Sequence, residues 1–213
     1  MPHELPAADS KLKKGRFCEA ILSPLTPGKL LDVGAGKGNV SLTAAGLGWQ
    51  VTAVNADRQR WPERDVAADP DLIARLDSIT FVQLDVRQLE VDRSSYDLIS
   101  ISGLHDLEVP DQVALVRKCT GTPLLIDAHV SSAPIDAVGC YRGMLSQDPS
   151  RAGEERDGGA ATSLRDGAAF LHTEESLVRL LRDCGYPVVF QARPPYRQNY
   201  TFYFALPAAA IHG

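Results

Sequence analysis

A short apolar run leads directly into three closely spaced glycines in the stretch Leu30-Leu31-Asp32-Val33-Gly34-Ala35-Gly36-Lys37-Gly38. The apolar residues predict a buried first strand over residues 29–33, and a helix is predicted from about residue 40 to residue 47. Glycines at such a turn permit positive φ angles and let the backbone approach a ligand closely. The stretch therefore predicts a ligand-binding loop between a buried strand and the helix that follows it.

The spacing of these glycines separates three kinds of nucleotide-binding loop. A dinucleotide fingerprint, G-x-G-x-x-G, needs a glycine at position 39, where the chain has Asn39. A phosphate-binding P-loop needs Ser or Thr after Lys37, where the chain has Gly38. Both patterns match poorly, and the pattern D-x-G-x-G-x-G remains.

Outward from this loop, short β-branched or apolar runs alternate with stretches of helical periodicity. Further strands are predicted over residues 50–54, 79–84, 96–102 and 123–128, and helices over residues 11–22, 70–76 and 112–119. Such alternation is typical of a parallel sheet with helices on both faces. We therefore predict an α/β fold.

The pattern changes in the C-terminal third of the chain. Residues 131–170 are rich in Gly, Ser, Asp and Arg, and they predict an irregular insertion that acts as a lid. Thr173 then caps a predicted helix that ends near Gly185. Two strands over residues 188–190 and 200–204, joined by a Pro-rich turn, predict a terminal antiparallel β-hairpin.

Composition limits the classes of partner. The 213 residues carry a net charge of −5 without a broad basic run, so nucleic acid is a disfavoured partner. The sequence has neither the pattern of a signal peptide nor a long apolar segment, so we expect a cytoplasmic protein without a membrane partner. Nothing in the sequence indicates an oligomeric state. The cysteines lack the spacing of a zinc site or a disulfide framework and are expected to be free thiols: Cys18, Cys119, Cys140 and Cys184.

From about Leu30 to Leu206 the chain resembles the class I methyltransferases that use S-adenosylmethionine (SAM). The resemblance is carried by the D-x-G-x-G-x-G loop, the strand Val51 to Asn55, Asp85 after the third strand, and the terminal hairpin. It implies one Rossmann-like domain over residues 1–213, with a seven-stranded, mostly parallel sheet and helices on both faces. Residues 1–28 would supply an N-terminal helix against the sheet, and residues 131–170 an insertion after strand five.

The resemblance also implies SAM as the cofactor and assigns its binding residues. In the family, an acidic residue at the end of the second strand holds the ribose hydroxyls, but here that position is Asn55, with Asp57 two residues later. A neutral amide in place of a carboxylate weakens one hydrogen bond by ~1 kcal/mol, so Asn55→Asp is expected to retain or tighten binding. The full set of implied cofactor residues is Asp32, Gly34, Ala35, Gly36, Asn55, Asp57, Asp85, Val86 and Ser102.

Two histidines are the candidate catalytic residues. Methyl transfer is an in-line displacement that needs alignment, and a base only where the acceptor must lose a proton. His105 follows the fourth predicted strand and His129 the fifth, at the edge where substrate and cofactor meet in open α/β sheets. A metal site that combines these histidines with Asp106 and Asp127 matches no known spacing, and no metal is expected.

The candidate acceptor-binding residues lie in the insertion and in the terminal hairpin. Tyr141 offers a stacking surface, Arg142 a partner for a carboxylate or phosphate, and Tyr196 belongs to the aromatic turn before the last strand. The predicted function is methylation of a small molecule, on an oxygen atom of a sugar or other secondary metabolite. RNA or protein methylation, and a SAM-binding module without catalysis, remain as alternatives.

Overall fold

The computed structural model of the chain describes residues 7–62, 69–146 and 169–211. Seven of its strands form one sheet with the order β3-β2-β1-β4-β5-β10-β9, in which all strands run parallel except β10. These strands are β1 Lys29–Val33, β2 Gln50–Asn55, β3 Ile79–Gln83, β4 Leu98–Ser102, β5 Leu124–His129, β9 Val188–Ala192 and β10 Tyr200–Leu206. The predicted seven-stranded sheet and its antiparallel terminal hairpin are confirmed.

Helices cover both faces of this sheet, as predicted. Side chains alternate between the faces along each strand, so Leu30 packs with α1 to α3 and Leu31 with α4 and α5. Because both faces are buried, most residues of the central strands are apolar, and Asp32, Ser100 and Asp127 are buried exceptions. The helices are α1 Ala7–Leu22, α2 Asn39–Gly46, α3 Pro70–Asp77, α4 Val109–Lys118 and α5 Glu174–Asp183.

The ends of the helices follow local chemistry. Thr173 accepts a hydrogen bond from the Ser176 N–H and caps α5, as predicted. Helix α4 begins at Val109, three residues earlier than predicted, because Pro110 lies in the first turn, where a missing N–H costs nothing. None of the described helices is long and apolar enough to cross a lipid bilayer.

A second, three-stranded antiparallel sheet follows β5. It contains β6 Asp136–Val138, β7 Tyr141–Ser146 and β8 Ala169–His172, in the order β6-β7-β8. The prediction of irregular structure over residues 131–170 was therefore wrong for the two ends of that segment, while residues 147–168 lie outside the described part. These strands were not recognisable in the sequence, because β6 has only three residues and both β6 and β7 are partly exposed. They therefore lack a clear apolar alternation.

Candidate active site

The glycine loop is held tightly between β2 and β4. The N–H groups of Gly34 and Ala35 both donate to the carbonyl oxygen of Val54, at 2.9 and 3.1 Å. Gly34 has a φ of 71°, and a Cβ there would collide with the carbonyl oxygen of Ser102. Gly36 has a φ of 53°, but the nearest atom to a Cβ there is the Gly34 carbonyl oxygen at 3.8 Å. The loop is therefore closed toward the sheet and open at Gly36, where a ligand can approach the backbone.

Asp32 lies behind this loop, fully buried. Its Oδ2 accepts hydrogen bonds from the N–H and the hydroxyl of Ser41, at 3.1 and 2.5 Å, which fixes α2 against the end of β1. Its Oδ1 has no hydrogen-bond partner in the described part of the chain. Burial raises the pKa of this carboxyl to about 6, and the Asp127 charge adds to the rise, while Ser41 and Lys14 oppose it. The site thus contains a buried carboxylate that a nearby cation would stabilise.

The two candidate ribose residues have different roles in the structure. The Asn55 Oδ1 accepts the Gly36 N–H at 3.4 Å, and its Nδ2 donates to the Asp57 carbonyl oxygen at 2.7 Å. Both ends of this amide are therefore engaged in holding the loops. The Asp57 Oδ1 caps the following turn by accepting the Gln59 N–H at 2.9 Å, whereas its Oδ2 makes no hydrogen bond to described residues and lies 3.8 Å from the Arg60 Nε. Asp57 is the one of the two with a carboxylate oxygen left for a ligand.

Asp85 and Val86 follow β3, as expected for the adenine side. The Asp85 carboxylate accepts hydrogen bonds from the Arg87 guanidinium at 2.5 to 3.1 Å and from the Arg87 N–H at 3.0 Å. These bonds lower the pKa of Asp85 despite its partial burial. Val86 is half-buried against the core. An adenine amino group would therefore have to share the Asp85 carboxylate with Arg87.

A buried polar cluster lies at the carboxyl ends of β4 and β5. The Asp127 carboxylate, 2% exposed, accepts hydrogen bonds from the hydroxyls of Ser102 and Tyr200 and pairs with the Lys14 ammonium group. The pKa of Asp127 falls despite its burial, chiefly because of Lys14, and burial raises the pKa of Tyr200. Sequence reasoning assigned Ser102 to the cofactor and gave Lys14 no role. The sequence feature that could have indicated this cluster is Asp127 itself, a charged residue inside an apolar run.

The structure brings the two candidate histidines into contact. The His105 and His129 rings meet edge to face with centroids 4.7 Å apart, and His129 meets the Tyr200 ring at 4.9 Å. The His105 Nε2 lies 3.7 Å from the Asp106 Oδ1, and its Nδ1 is buried without a hydrogen-bond partner in the described residues. Parallel strands β4 and β5 are neighbours, so the residues that follow them meet at one edge of the sheet.

The three candidate acceptor residues contact different elements. Tyr141 donates a hydrogen bond of 3.2 Å to Asp183, near the end of α5, whereas Tyr196 packs on Phe17 of α1 with ring centroids 6.4 Å apart. Arg142 lines an open cleft at the start of α5. Tyr141 and Arg142 are neighbours on β7, but Tyr141 contacts the last residue of α5 whereas Arg142 lines the cleft. Among the residues that the structure describes, no three His, Cys, Asp or Glu side chains are grouped as a metal ion requires.

Comparisons with known proteins agree with this architecture. The glycopeptide N-methyltransferase MtfA complexed with SAM has a similar structure, with a TM-score of 0.63 and 20% identity over 92% of this chain and 93% of that one. The N-terminal domain of EvdMO1, in the presence of S-adenosylhomocysteine (SAH) and D-fucose, gives a TM-score of 0.65 and 13% identity, over 92% and 82% of the two chains.

A third similar structure is the 1,6-didemethyltoxoflavin-N1-methyltransferase of Burkholderia thailandensis with bound 1,6-didemethyltoxoflavin and SAH. Its TM-score is 0.61 and its identity 18%, over 97% of this chain and 93% of that one. No curated protein matches the chain in sequence. Residues 30–122 match the family described as a methyltransferase domain, and these residues hold the glycine loop, β2 and the end of β4. Over residues 30–122 the chain therefore matches a methyltransferase domain, and its fold is that of the class I, Rossmann-like SAM-dependent methyltransferases.

Proposed function

We propose that this protein transfers a methyl group from SAM to a hydroxyl group of a small molecule, such as a sugar or another secondary metabolite. One observation carries the proposal: the glycine loop lies against the end of β4, and His105, just beyond the end of β4, contacts His129, the last residue of β5. A cofactor loop and two proton acceptors therefore share one edge of the sheet.

The residues at this edge suit SAM. The open side of Gly36 leaves space for the methionine end, and the Asp57 Oδ2, whose ion-pair contact with the Arg60 Nε is loose at 3.8 Å, offers an acceptor for the ribose hydroxyls. The buried Asp32 carboxylate favours a cation close by. When bound, SAM supplies an electrophilic methyl group on a sulfonium centre. Asp85 and Val86 would hold the adenine ring.

The histidines are the best proton acceptors at this edge. Asp127 is already held by Lys14 and two hydroxyls, so its carboxylate is stabilised in the charged form and is a weak base. The Tyr200 hydroxyl donates to Asp127 and has a raised pKa, so it is not ionised near neutral pH. A neutral imidazole accepts a proton in that range. We therefore propose that His105 or His129 removes the proton from the acceptor's hydroxyl group.

The named relatives support a small-molecule acceptor in general terms. One is named a glycopeptide N-methyltransferase, one is an N1-methyltransferase with bound 1,6-didemethyltoxoflavin, and one was crystallised in the presence of D-fucose. A nitrogen acceptor is therefore the main alternative to oxygen. An RNA substrate is disfavoured by the net charge of −5. A binding module without catalysis would bind SAM and SAH but show no turnover with any acceptor.

Two measurements test the proposed function together. Calorimetric titration with SAH should show binding to one site per chain. A screen with radiolabelled SAM against sugars, phenols, amines and RNA should label a small molecule that carries a free hydroxyl. Failure to bind SAH would reject the function, and label that enters only amines or RNA would reject the assignment of the acceptor.

Replacement of the histidines tests their assigned role. Ala at the position of the true base should lower the turnover rate by roughly 10²–10⁴-fold and leave SAH affinity nearly unchanged. Wild-type activity should fall at acid pH, because a protonated imidazole accepts no proton. Added imidazole should partly restore the Ala variant, which a purely structural loss would not allow. Near-normal turnover in both His105→Ala and His129→Ala would show that alignment alone carries the reaction.

A further inference from the structure

An open cleft of about 670 Å³ lies beside the proposed active site, at the junction of the two sheets. Its walls come from the residues that follow β5, from β7, from the first two turns of α5 and from the turn before β10. No part of the cofactor loop lines it. The cleft is therefore a separate compartment that the SAM-binding residues do not account for.

The cleft adjoins the histidine pair through the backbone. Val130 and Asn199 both line it, and the Val130 N–H donates to the Asn199 carbonyl oxygen at 3.1 Å. Val130 directly follows His129, and Asn199 directly precedes Tyr200. A molecule in the cleft therefore lies one residue away from the edge at which methyl transfer is proposed.

The charged side chains that line the cleft differ in how strongly they pair with other residues of the chain. Glu174 accepts hydrogen bonds from the Arg193 guanidinium and from the Thr201 hydroxyl, so the charges of Glu174 and Arg193 compensate each other. Arg179 has only a loose contact with Asp183, at 3.8 Å between exposed side chains. Within the described part of the chain, no carboxylate pairs with Arg142.

The backbone of Arg142 is held on both sides by hydrogen bonds. Its N–H donates to the Ser176 hydroxyl at 2.9 Å, and its carbonyl oxygen accepts the Thr173 N–H at 3.0 Å. These bonds join β7 to the first turn of α5 on both sides of the residue. The backbone of this cleft-lining residue is therefore fixed, so a bound ligand would not have to order it.

We propose that the cleft binds an acidic group of the methyl acceptor, a carboxylate or a phosphate, through Arg142 and Arg179. The inference rests on the proposed function and specifies its substrate class. Because Glu174 and Arg193 compensate each other, the remaining charges of the lining are Arg142 and Arg179 against Glu175, an excess of one positive charge that favours an anion on a chain of net charge −5. The acidic group would lie in the cleft while the acceptor hydroxyl faces the histidines.

Three small probes test this proposal by NMR-detected titration of the SAH-loaded protein: 4-hydroxybenzoate, phenyl phosphate and the neutral 4-hydroxybenzamide. At least one anion should bind about tenfold or more tightly than the amide, and the better of the two identifies the carboxylate or phosphate. Arg142→Gln and Arg179→Gln should each weaken the anion by about tenfold. Arg182→Gln, an exposed arginine on α5 outside the cleft, is the matched control and should change nothing.

The outcomes separate the two proposals. Equal binding of the amide, unchanged affinity in both cleft variants, or no binding of any probe to protein that binds SAH normally would overturn the acidic-group proposal alone. Loss of SAH binding in the wild-type protein would instead overturn the proposed function. Equal weakening by Arg182→Gln would show a general charge effect and would also reject a specific site.

Discussion

Gly34 and Gly36 both have left-handed φ angles, but the space around them differs. A side chain at Gly34 would collide with the sheet, whereas one at Gly36 would extend into the open side of the loop. Substitution of Gly34 is therefore expected to disrupt the fold. Substitution of Gly36 tests the ligand site with less damage to the protein.

We predict that Gly36→Val abolishes SAH binding and leaves the protein folded. A branched side chain would fill the space that the methionine end needs, and the left-handed φ costs about 1–2 kcal/mol of stability. Gly48→Val is a matched control, because Gly48 has a φ of 89° and lies in a turn beside Pro27, away from the loop. Calorimetry with SAH and thermal melting by circular dichroism check both variants. Unchanged SAH affinity in a folded Gly36→Val protein would place the cofactor elsewhere.

The position of Asn55 in the sequence predicts that Asn55→Asp retains or tightens SAM binding. The hydrogen bonds of Asn55 lead to the opposite expectation. A carboxylate at position 55 would replace the Nδ2–H donor with an oxygen that faces the Asp57 carbonyl oxygen. We therefore expect Asn55→Asp to lower stability by about 1–3 kcal/mol and to weaken SAH binding. The carboxylate that the family needs at this edge is supplied by Asp57 in our proposal.

We predict that Asp57→Asn weakens SAH binding by about tenfold, because one charge-assisted hydrogen bond becomes a neutral one. The substitution keeps the Oδ1 that caps the Gln59 N–H, so the turn should persist. Asp92→Asn is the matched control, since Asp92 caps a similar turn by accepting the Ser94 N–H. If calorimetry finds equal SAH affinity in Asp57→Asn and wild type, the ribose is held by another residue.

At the scale of elements, α1 is joined to the sheet by a buried ion pair. Lys14, Phe17 and Cys18 lie on one side of the helix, where Lys14 pairs with Asp127 and Phe17 packs on Phe202 with ring centroids 4.9 Å apart. The Lys14 side chain is 22% exposed and Asp127 2%. Removal of the ammonium group would therefore leave a nearly inaccessible carboxylate without its counter-charge.

We predict that Lys14→Met lowers the free energy of unfolding by about 3–5 kcal/mol. The double variant Lys14→Met with Asp127→Asn should recover most of that loss, because it also removes the uncompensated charge. Urea denaturation of the wild type, both single variants and the double variant gives the coupling energy. Additive losses in the double variant would show that the two charges do not interact.

The sequence predicted regular elements well and the second sheet poorly, for a physical reason. The central strands β1, β4 and β5 are buried on both faces, so their apolar runs stand out in the chain. Helix α5 shows a clear stripe because Leu177, Leu180 and Leu181 face the core. Strands β6 and β7 pair with each other and with β8, which follows the undescribed residues 147–168. Local periodicity carries little information about such non-local pairing.

At the scale of the whole molecule, a buried histidine network joins the three-stranded sheet to α4 and α5. His172 is 3% exposed, its Nε2 lies 2.9 Å from the Gln112 Oε1, and its Nδ1 lies 2.7 Å from the Ser176 hydroxyl. The Gln112 Nε2 donates to the carbonyl oxygens of Leu107 and Phe170, so the Gln112 Oε1 must accept from His172. The ring is therefore protonated on Nε2 and, when neutral, accepts the Ser176 hydroxyl on Nδ1.

Burial lowers the pKa of His172 from 6.5 to about 4, which makes stability depend on pH. Between pH 6.5 and 4 the unfolded chain binds the proton and the native state does not, so this contribution to stability is present above pH 6.5 and is lost as the pH falls. Its maximum is about 3 kcal/mol. Asp32 acts in the opposite sense, because its raised pKa favours the native state at acid pH.

We predict that the stability difference between the wild type and His172→Gln shrinks by about 3 kcal/mol as the pH is lowered from 7 to 4. Comparison of the two proteins removes the opposing effect of Asp32, which both contain. Chemical denaturation at a series of pH values measures the difference. Parallel curves for the two proteins would show that His172 titrates normally in the folded state.

The sequence by itself determined the α/β class, the number and order of the main strands, the glycine loop and the family, because these depend on local periodicity and on spacing within a single turn. It also identified His105 and His129 by their positions after neighbouring strands. Tertiary structure alone decided that the two rings touch and that Lys14 neutralises Asp127. It also decided that Asn55 is used in holding the loop and that Arg142 faces a cleft. Those contacts join residues distant in the chain, and no local pattern specifies which side chains will meet when the sheet is assembled.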